Sequence, residues 1–282
     1  MKKGAYKAVL ITGGASGIGA ATAAAAAQHG HRVLIADIDV TGAKRVATAI
    51  GSSAAAIALD VTSAPQWTQV LDHAWSIFGN VDVVINNAGI NYPGNSSSIS
   101  LEEHHRTLEV NFMGAVRGML AALQRFKDQG SGHLVTVCSM ASFLPLPGLA
   151  SYAASKHALR AFHYALALEE RGTPVKFTIV HPGSTETPML EKEAANDDAA
   201  LAFAGPSVTA EFVGKVVLEA MEKELSEVFM PPDRAKAVRR IGTTQKSLLK
   251  MVDTRTKIGA ENLAVRRAAK GGGRPEKGRG ES

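Results

Sequence analysis

Tyr152 and Lys156 stand four residues apart in Ser151-Tyr152-Ala153-Ala154-Ser155-Lys156-His157-Ala158, a run of helical composition. That spacing stacks the two side chains on one helix face. An ammonium beside a phenol favours the phenolate and draws a tyrosine pKa down from ~10 toward a working range. A general acid/base needs such tuning. The pair alone says little, because both residue types are common on helices. Its surroundings say more. Ser139 ends an apolar run 13 residues earlier, Asn86-Asn87-Ala88-Gly89 ends another, and Asn111 lies in the helical stretch between. Open α/β sheets build their sites at such strand ends.

A second constellation lies near the start of the chain. Thr12-Gly13-Gly14-Ala15-Ser16-Gly17-Ile18-Gly19 follows the first apolar run and opens an alanine-rich helix. Glycines there permit a tight turn, close approach of a pyrophosphate, and helix–strand contact. The free N–H groups of the helix start would face the phosphates. A plain glycine-rich turn is the alternative, and the Gly-x-x-x-Gly-x-Gly spacing differs from Gly-x-Gly-x-x-Gly. Asp37 ends the second apolar run. A carboxylate at that place accepts hydrogen bonds from ribose hydroxyls and repels a 2′-phosphate. No Lys or Arg stands at Ala36, Ile38 or in the glycine loop. NAD is therefore expected over NADP.

Strands that position these groups are expected at residues 8–11, 33–36, 54–59, 81–85, 132–137, 175–180 and 227–230. Helical segments alternate with them, as at 19–29 and 41–50. Near-continuous apolar strands in this rhythm predict one doubly wound parallel α/β sheet of about seven strands, a Rossmann fold, over residues 1–230. Residues 183–206 interrupt the rhythm with Pro188, the charged patch Glu191-Lys192-Glu193 and Gly205-Pro206. They are expected to form a lid, with a plain surface excursion as the alternative. Val238, Ile241, Gln245, Leu248 and Val252, with lysines and arginines between them, predict a basic amphipathic helix within 231–265. A disordered tail is expected over 266–282.

Charge follows the same division. The 282 residues carry a net charge of +5, but Met230 to Ser282 holds 14 Lys/Arg against 5 Asp/Glu. The rest of the chain is net acidic, so no basic nucleic-acid face is expected on the main domain. One cysteine, Cys138, excludes an intrachain disulfide and is expected to be a packed thiol. No apolar run is long enough for a membrane span or a signal peptide, and a cytoplasmic location is expected. The nine histidines show no metal-ligand spacing, and no metal site is expected.

The glycine loop, Asp60-Val61, Asn86 to Gly89, Asn111, Ser139, Tyr152/Lys156 and Pro182-Gly183 occur in an order that resembles the short-chain dehydrogenase/reductase family over roughly residues 6–230. The resemblance implies NAD(H)-dependent interconversion of a secondary alcohol and a ketone by direct hydride transfer. It makes Tyr152 the acid/base at the substrate oxygen, with Ser139 hydrogen-bonded to that oxygen. Lys156 would lower the Tyr152 pKa and hold the nicotinamide ribose, and Asn111 would anchor a water leading to solvent. Cofactor contacts are implied at Gly13, Ser16, Gly17, Ile18, Gly19, Asp37, Asp60, Val61, Asn87, Gly89, Pro182, Gly183, Thr185 and Thr187, beside Tyr152 and Lys156. Thr185 departs from the Val or Ile usual there. The resemblance also implies a homodimer or homotetramer.

A catalytically silent dinucleotide-binding regulator is a competing reading, but a binding module needs no proton relay. An epimerase or dehydratase would carry a Gly-x-x-Gly-x-x-Gly loop and a larger C-terminal domain. Met140, Phe143, Leu144, Pro145, Leu146, Leu149, Met189, Leu190 and Phe203 are candidates for an apolar pocket, hence a hydrophobic substrate. The basic C-terminal helix is expected to pack on the body or on another subunit, with membrane-surface contact as the alternative.

Overall fold

The computed structural model describes residues 6–232 and 245–270. Its elements run β1 (Ala8–Thr12), α1 (Gly17–Gln28), β2 (Arg32–Asp37), α2 (Val40–Ile50), β3 (Ala54–Ala58), α3 (Ala64–Phe78), β4 (Val83–Asn86), α4 (Leu101–Leu108), α5 (Ala115–Gln129) and β5 (Gly132–Val137). There follow α6 (Ala150–Glu169), β6 (Val175–Pro182), β7 (Thr185–Glu186), α7 (Pro188–Ala194), β8 (Val208–Thr209), α8 (Ala210–Glu222), β9 (Glu227–Met230) and α9 (Gln245–Ala269). Seven strands form one sheet in the order β3-β2-β1-β4-β5-β6-β9, and every pairing is parallel. All seven expected strands are present.

Each central strand feeds two cores. Val9, Ile11, Val33, Ile35, Val83, Ile85 and Val135 face one side, where Val213, Val217 and Met221 of α8 cover them. Leu10, Leu34, Val84 and Leu134 face the other, against Trp67, Met119, Phe126 and Leu159. Alternate side chains of a strand point to opposite faces, so a sheet covered on both sides reads as a continuous apolar run. The alanines of α1 have a packing reason: a Cβ on Gly214 of α8 would lie 2.7 Å from the Ala21 carbonyl carbon. Small side chains let the two helices close onto the sheet.

Strand order reverses between β1 and β4, which opens a crevice at the carboxyl ends of the strands. Asn111 lies in a π-helical stretch, Glu109–Gly114, between α4 and α5. Among the described residues no helix is long and apolar enough to cross a membrane.

The segment after β6 covers that crevice as α7 and a 3-10 stretch, Asp197–Phe203. Leu190, Ala194, Ala200 and Phe203 pack around Leu263 of α9. Arg266 and Arg267, expected at the start of a disordered tail, are instead helical and ion-paired to the covering segment. Burial of Leu263 and the acidic partners across the gap explain why the helix continues. Val238, Ile241 and residues 271–282 lie outside the described residues.

Candidate active site

Two connected cavities open at the switch point. The larger, about 570 Å³, is lined by Gly13, Ser16, Gly17, Ile18, Asp37, Asp60, Val61, Asn87, Gly89, Tyr152, Lys156 and Thr187, among others. The smaller, about 210 Å³, is lined by Ser139, Tyr152, Pro182, Gly183, Thr185, Thr187, Glu193 and a set of apolar side chains. Ile18, Cys138, Tyr152, Thr187 and Met189 belong to both. Tyr152 stands at the junction.

The glycine loop is shaped by backbone contact. Gly13 has φ +66°, and a Cβ there would come 2.7 Å from Ala88 Cα. Asn87 Nδ2 donates to the Thr12 and Gly13 carbonyls at 2.9 and 3.0 Å. Asn87 thus lines the cleft while tying the β4 turn to the loop. The Ser16 side chain makes no capping hydrogen bond to α1. The first N–H groups of α1 therefore face the cleft with no side-chain cap, which fits a phosphate. Gly19, expected to touch the cofactor, does not line the cleft. It packs beneath the loop, where a Cβ would sit 2.1 Å from the Gly13 oxygen.

Asp37 Oδ2 accepts from Ala15 N and Oδ1 from Asp39 N, each at 2.9 Å. The carboxylate is thereby aimed along the cleft floor. Asp60 lies opposite, its pKa held below the ordinary value. Burial alone would raise it, but hydrogen bonds from Thr62 and the charges of Arg106 and Arg117 outweigh that.

Asn111 is fully buried and lines neither cavity. Its Oδ1 accepts from Ile90 N at 2.8 Å, and Nδ2 donates to Ile90 O at 2.9 Å and Ser155 Oγ at 3.1 Å. Its amide joins the β4 loop to α6, with both Nδ2 hydrogens donated and one lone pair of Oδ1 filled. It still borders Lys156: a Cβ on Gly89 would lie 3.4 Å from Asn111 Oδ1 and 3.7 Å from Lys156 Nζ.

Lys156 is 3% exposed; its Nζ donates to Val137 O at 3.3 Å and lies 5.7 Å from the Tyr152 ring centre. Burial lowers the Lys156 pKa. The Tyr152 phenol is pushed up, first by burial and then by the charges of Glu193 and Cys138, while a hydrogen bond with Ser139 opposes the rise. In this arrangement the Lys156 ammonium is turned to the Val137 carbonyl, 5.7 Å from the Tyr152 ring centre, and burial dominates the phenol. Ser139 Oγ accepts from Ala141 N at 3.0 Å, which fixes the turn carrying it.

Sequence reasoning missed three residues. His181 is fully buried behind Ser139, with Nδ1 3.2 Å from Ser142 Oγ and Nε2 3.1 Å from Glu227 Oε1. Burial alone would lower its pKa, but hydrogen bonds with Cys138 and Glu227 hold it above the ordinary value. Its place at the end of β6, beside the end of β5, was the available signal. Glu193, read as part of a surface patch, is 7% exposed and accepts from Asn91 Nδ2 at 2.5 Å. Burial pushes its carboxyl up to about 7 against the Asn91 hydrogen bond. Asn91 is the third, at 2% exposure.

The apolar wall comprises Met140, Leu144, Leu146, Leu149, Met189 and Leu190, as expected, together with Leu201. Phe143 does not line it; it packs with His181 and Phe229. Pro145 is also outside, and Phe203 is drawn into the contact with α9. Thr187 Oγ1 accepts from Leu190 N at 3.3 Å, capping α7, and Thr185 Oγ1 donates to Gly183 O at 3.0 Å.

A glycine loop, an uncapped helix start and a cleft at the switch point are the features of a dinucleotide-binding α/β fold. Residues 7–198 match the short chain dehydrogenase family, and the chain belongs to it. The chain is 34% identical over 230 residues to 1-deoxy-11-beta-hydroxypentalenate dehydrogenase of Streptomyces avermitilis, covering 79% of this chain and 84% of the relative. It is 30% identical to 3-beta-hydroxysteroid dehydrogenase of Comamonas testosteroni, covering 78% and 90%. A short chain dehydrogenase/reductase from Burkholderia phymatum, solved in complex with NAD, superposes with a TM-score of 0.78 at 25% identity, covering 85% and 94%.

Proposed function

We propose that the protein interconverts a hydrophobic secondary alcohol and its ketone with NAD(H). The observation that carries this reading is Tyr152 at the junction of the two cavities, with Ser139 lining the smaller one beside it. Bound nicotinamide would supply the hydride acceptor. Tyr152 takes the hydroxyl proton in one direction and returns it in the other. Ser139 holds the same oxygen, and His181 steadies the turn behind it. Lys156, turned from Val137 O toward the phenol and the ribose, lowers the Tyr152 pKa. The widened turn at Asn111, beside Lys156, is the route for a water relay. Gly13, Ser16, Gly17 and Ile18 take the pyrophosphate side, Asp37, Asp60, Val61, Asn87 and Gly89 the adenosine side, and Pro182, Gly183, Thr185 and Thr187 the nicotinamide side.

Tyr152→Phe is expected to lower kcat/KM by about 10²- to 10⁴-fold while NADH still binds, read by fluorescence titration. Retained turnover overturns the mechanism. Asp37 supports NAD: its carboxylate would face a 2′-phosphate. Wild type should show at least a tenfold lower kcat/KM with NADP, and Asp37→Ser should narrow that gap. Exposed Leu108, Met113 and Leu120 on the α4–α5 flank support a homodimer or homotetramer, to be read by sedimentation. A cytoplasmic enzyme is the matching expectation.

A further inference from the structure

The apolar pocket contains a feature that a purely hydrophobic substrate would not need. Among the described residues lining it, Glu193 brings a carboxyl group into a wall of leucine and methionine side chains. A buried carboxyl there is costly unless something hydrogen-bonds it. Asn91 Nδ2 occupies one carboxyl oxygen at 2.5 Å, and Asn91 in turn is held through its carbonyl by Lys192 Nζ at 2.6 Å. Asn91 Oδ1 is buried with no hydrogen-bond partner. Among the described residues that hold such an atom, Asn91 alone lines either cavity, where a bound molecule can complete its bonding. Asn91 lines the dinucleotide cleft and Glu193 the pocket beside it, so the pair spans the boundary where Tyr152 stands. The negative charge of Glu193 acts on the Tyr152 phenol, which places the two in one electrostatic neighbourhood.

We propose that Glu193 and Asn91 bind a second hydroxyl group, and that the substrate is an apolar dihydroxy compound oxidised at its other hydroxyl. The inference rests on the alcohol-oxidising reading above. The reaction itself is unchanged. The carbinol carbon held at Tyr152 and Ser139 loses a hydride to the nicotinamide, its oxygen loses a proton to Tyr152, and the second hydroxyl leaves intact in a hydroxyketone. Chemistry selects a hydroxyl over other groups. Arg255 of α9 also lines the pocket, but an anionic substituent placed at Glu193 itself would meet a carboxylate. A cationic one would shed its hydration in a pocket walled by leucine and methionine side chains. With Glu193 protonated, a hydroxyl accepts from the carboxyl and gives its one proton to Asn91 Oδ1; with Glu193 ionised, it gives that proton to the carboxylate instead. It therefore pairs with Glu193 in either protonation state, and burial has set that carboxyl to titrate near neutrality.

A structural tie between α7 and the loop after β4 would also bury Glu193, and substrate selectivity separates the two roles. The experiment uses the NAD-loaded enzyme and a series of cyclic diols with varied hydroxyl spacing, each beside the alcohol lacking the second hydroxyl. Wild type is expected to favour at least one diol by on the order of tenfold or more in kcat/KM, since the lone alcohol leaves buried polar groups unpaired. In Glu193→Leu that ratio should fall to about one, and Glu193→Gln, which keeps a donor and an acceptor, should retain part of it. NADH titration checks that each variant is folded; if the leucine variant is not, Asn91→Ala takes its place. No diol preference in wild type, or a preference that survives the substitution, overturns the proposal. If wild type oxidises neither member of any pair, the alcohol-oxidising reading has failed, and the pairs are ranked by calorimetric binding to the NADH-loaded enzyme. Tighter binding of a diol, lost on substitution, supports the hydroxyl site. Equal or absent binding overturns it.

Discussion

On the dinucleotide side of the cleft, the shape is set by main chain against main chain. Gly13 lies against Ala88, Gly19 lies beneath the Gly13 carbonyl, and Asn87 stitches two turns together. On the substrate side, α7 and the 3-10 stretch are held by side chains reaching across from α9. Arg266 grips Glu186 through two nitrogens at 2.8 and 2.6 Å and Glu191 at 2.5 Å, while Arg267 pairs with Asp197 at 2.6 Å. Lys270 adds a contact to Glu191 at 2.6 Å. From the other flank, Asn196 Nδ2 donates to Pro93 O at 2.8 Å, and Asn95 N to Asp198 Oδ2 at 3.0 Å. The first wall resists change because a steric clash has no cheap relief. The second is a set of screened ion pairs, individually weak and open to adjustment by sequence or salt. One wall suits an invariant ligand, the other a variable one.

The contrast can be broken at several points. The largest stability effect should come from Glu193, whose folded-state pKa of about 7 lies above the ordinary 4.5. The native state then keeps a proton that the unfolded chain releases, so stability falls as pH rises through that window. The full loss is on the order of 3 kcal/mol. Glu193→Gln should flatten the slope, read from urea midpoints below and above the window; an unchanged slope would place the titrating group elsewhere.

Gly19→Ala tests the rigid wall. A Cβ 2.1 Å from the Gly13 oxygen cannot be accommodated without moving the loop. A loss of about 1–3 kcal/mol in stability is expected, with weaker NADH binding. An alanine variant that binds NADH like wild type would show the wall to be softer than its contacts imply.

Arg266→Ala tests the other wall and should be the mildest. A change of about 1 kcal/mol or less is expected, with KM for the alcohol raised and NADH affinity kept. Arg266 holds the Glu186 carboxyl down to about 2, with a Ser207 hydrogen bond assisting. A depressed carboxyl stabilises the fold above its ordinary pKa of 4.5, and that contribution is lost as pH falls toward 2. The variant should therefore lose part of the wild type's acid sensitivity, measured as Tm against pH.

Much of this was legible in the chain. A strand buried on both faces must be apolar along its length, so all seven sheet strands stand out as runs. The glycine loop stands out because local backbone geometry demands those residues. Tyr152 and Lys156 share a helix face by spacing alone. Other features depend on partners far along the chain. The charged patch Glu191-Lys192-Glu193 reads as surface, yet the short helix turns Glu193 inward while Glu191 meets Arg266. Phe143 and Phe203 are as apolar as their neighbours, and only packing against His181 and Leu263 removes them from the pocket. Asn111 keeps its expected neighbourhood beside Lys156, and only the fold shows that its amide also ties Ile90 to Ser155.

The sequence by itself determined the sheet, the dinucleotide loop and the proton-transfer pair, since each follows from short-range periodicity and local sterics. Tertiary structure alone decided which carboxyl enters the apolar pocket, which amide oxygen is left unpartnered beside it, and how α9 holds the covering segment. Those depend on contacts between residues far apart in the chain, such as Asn91 and Glu193 at a separation of 102. Desolvation and charge pairing across such distances leave no local pattern in the chain.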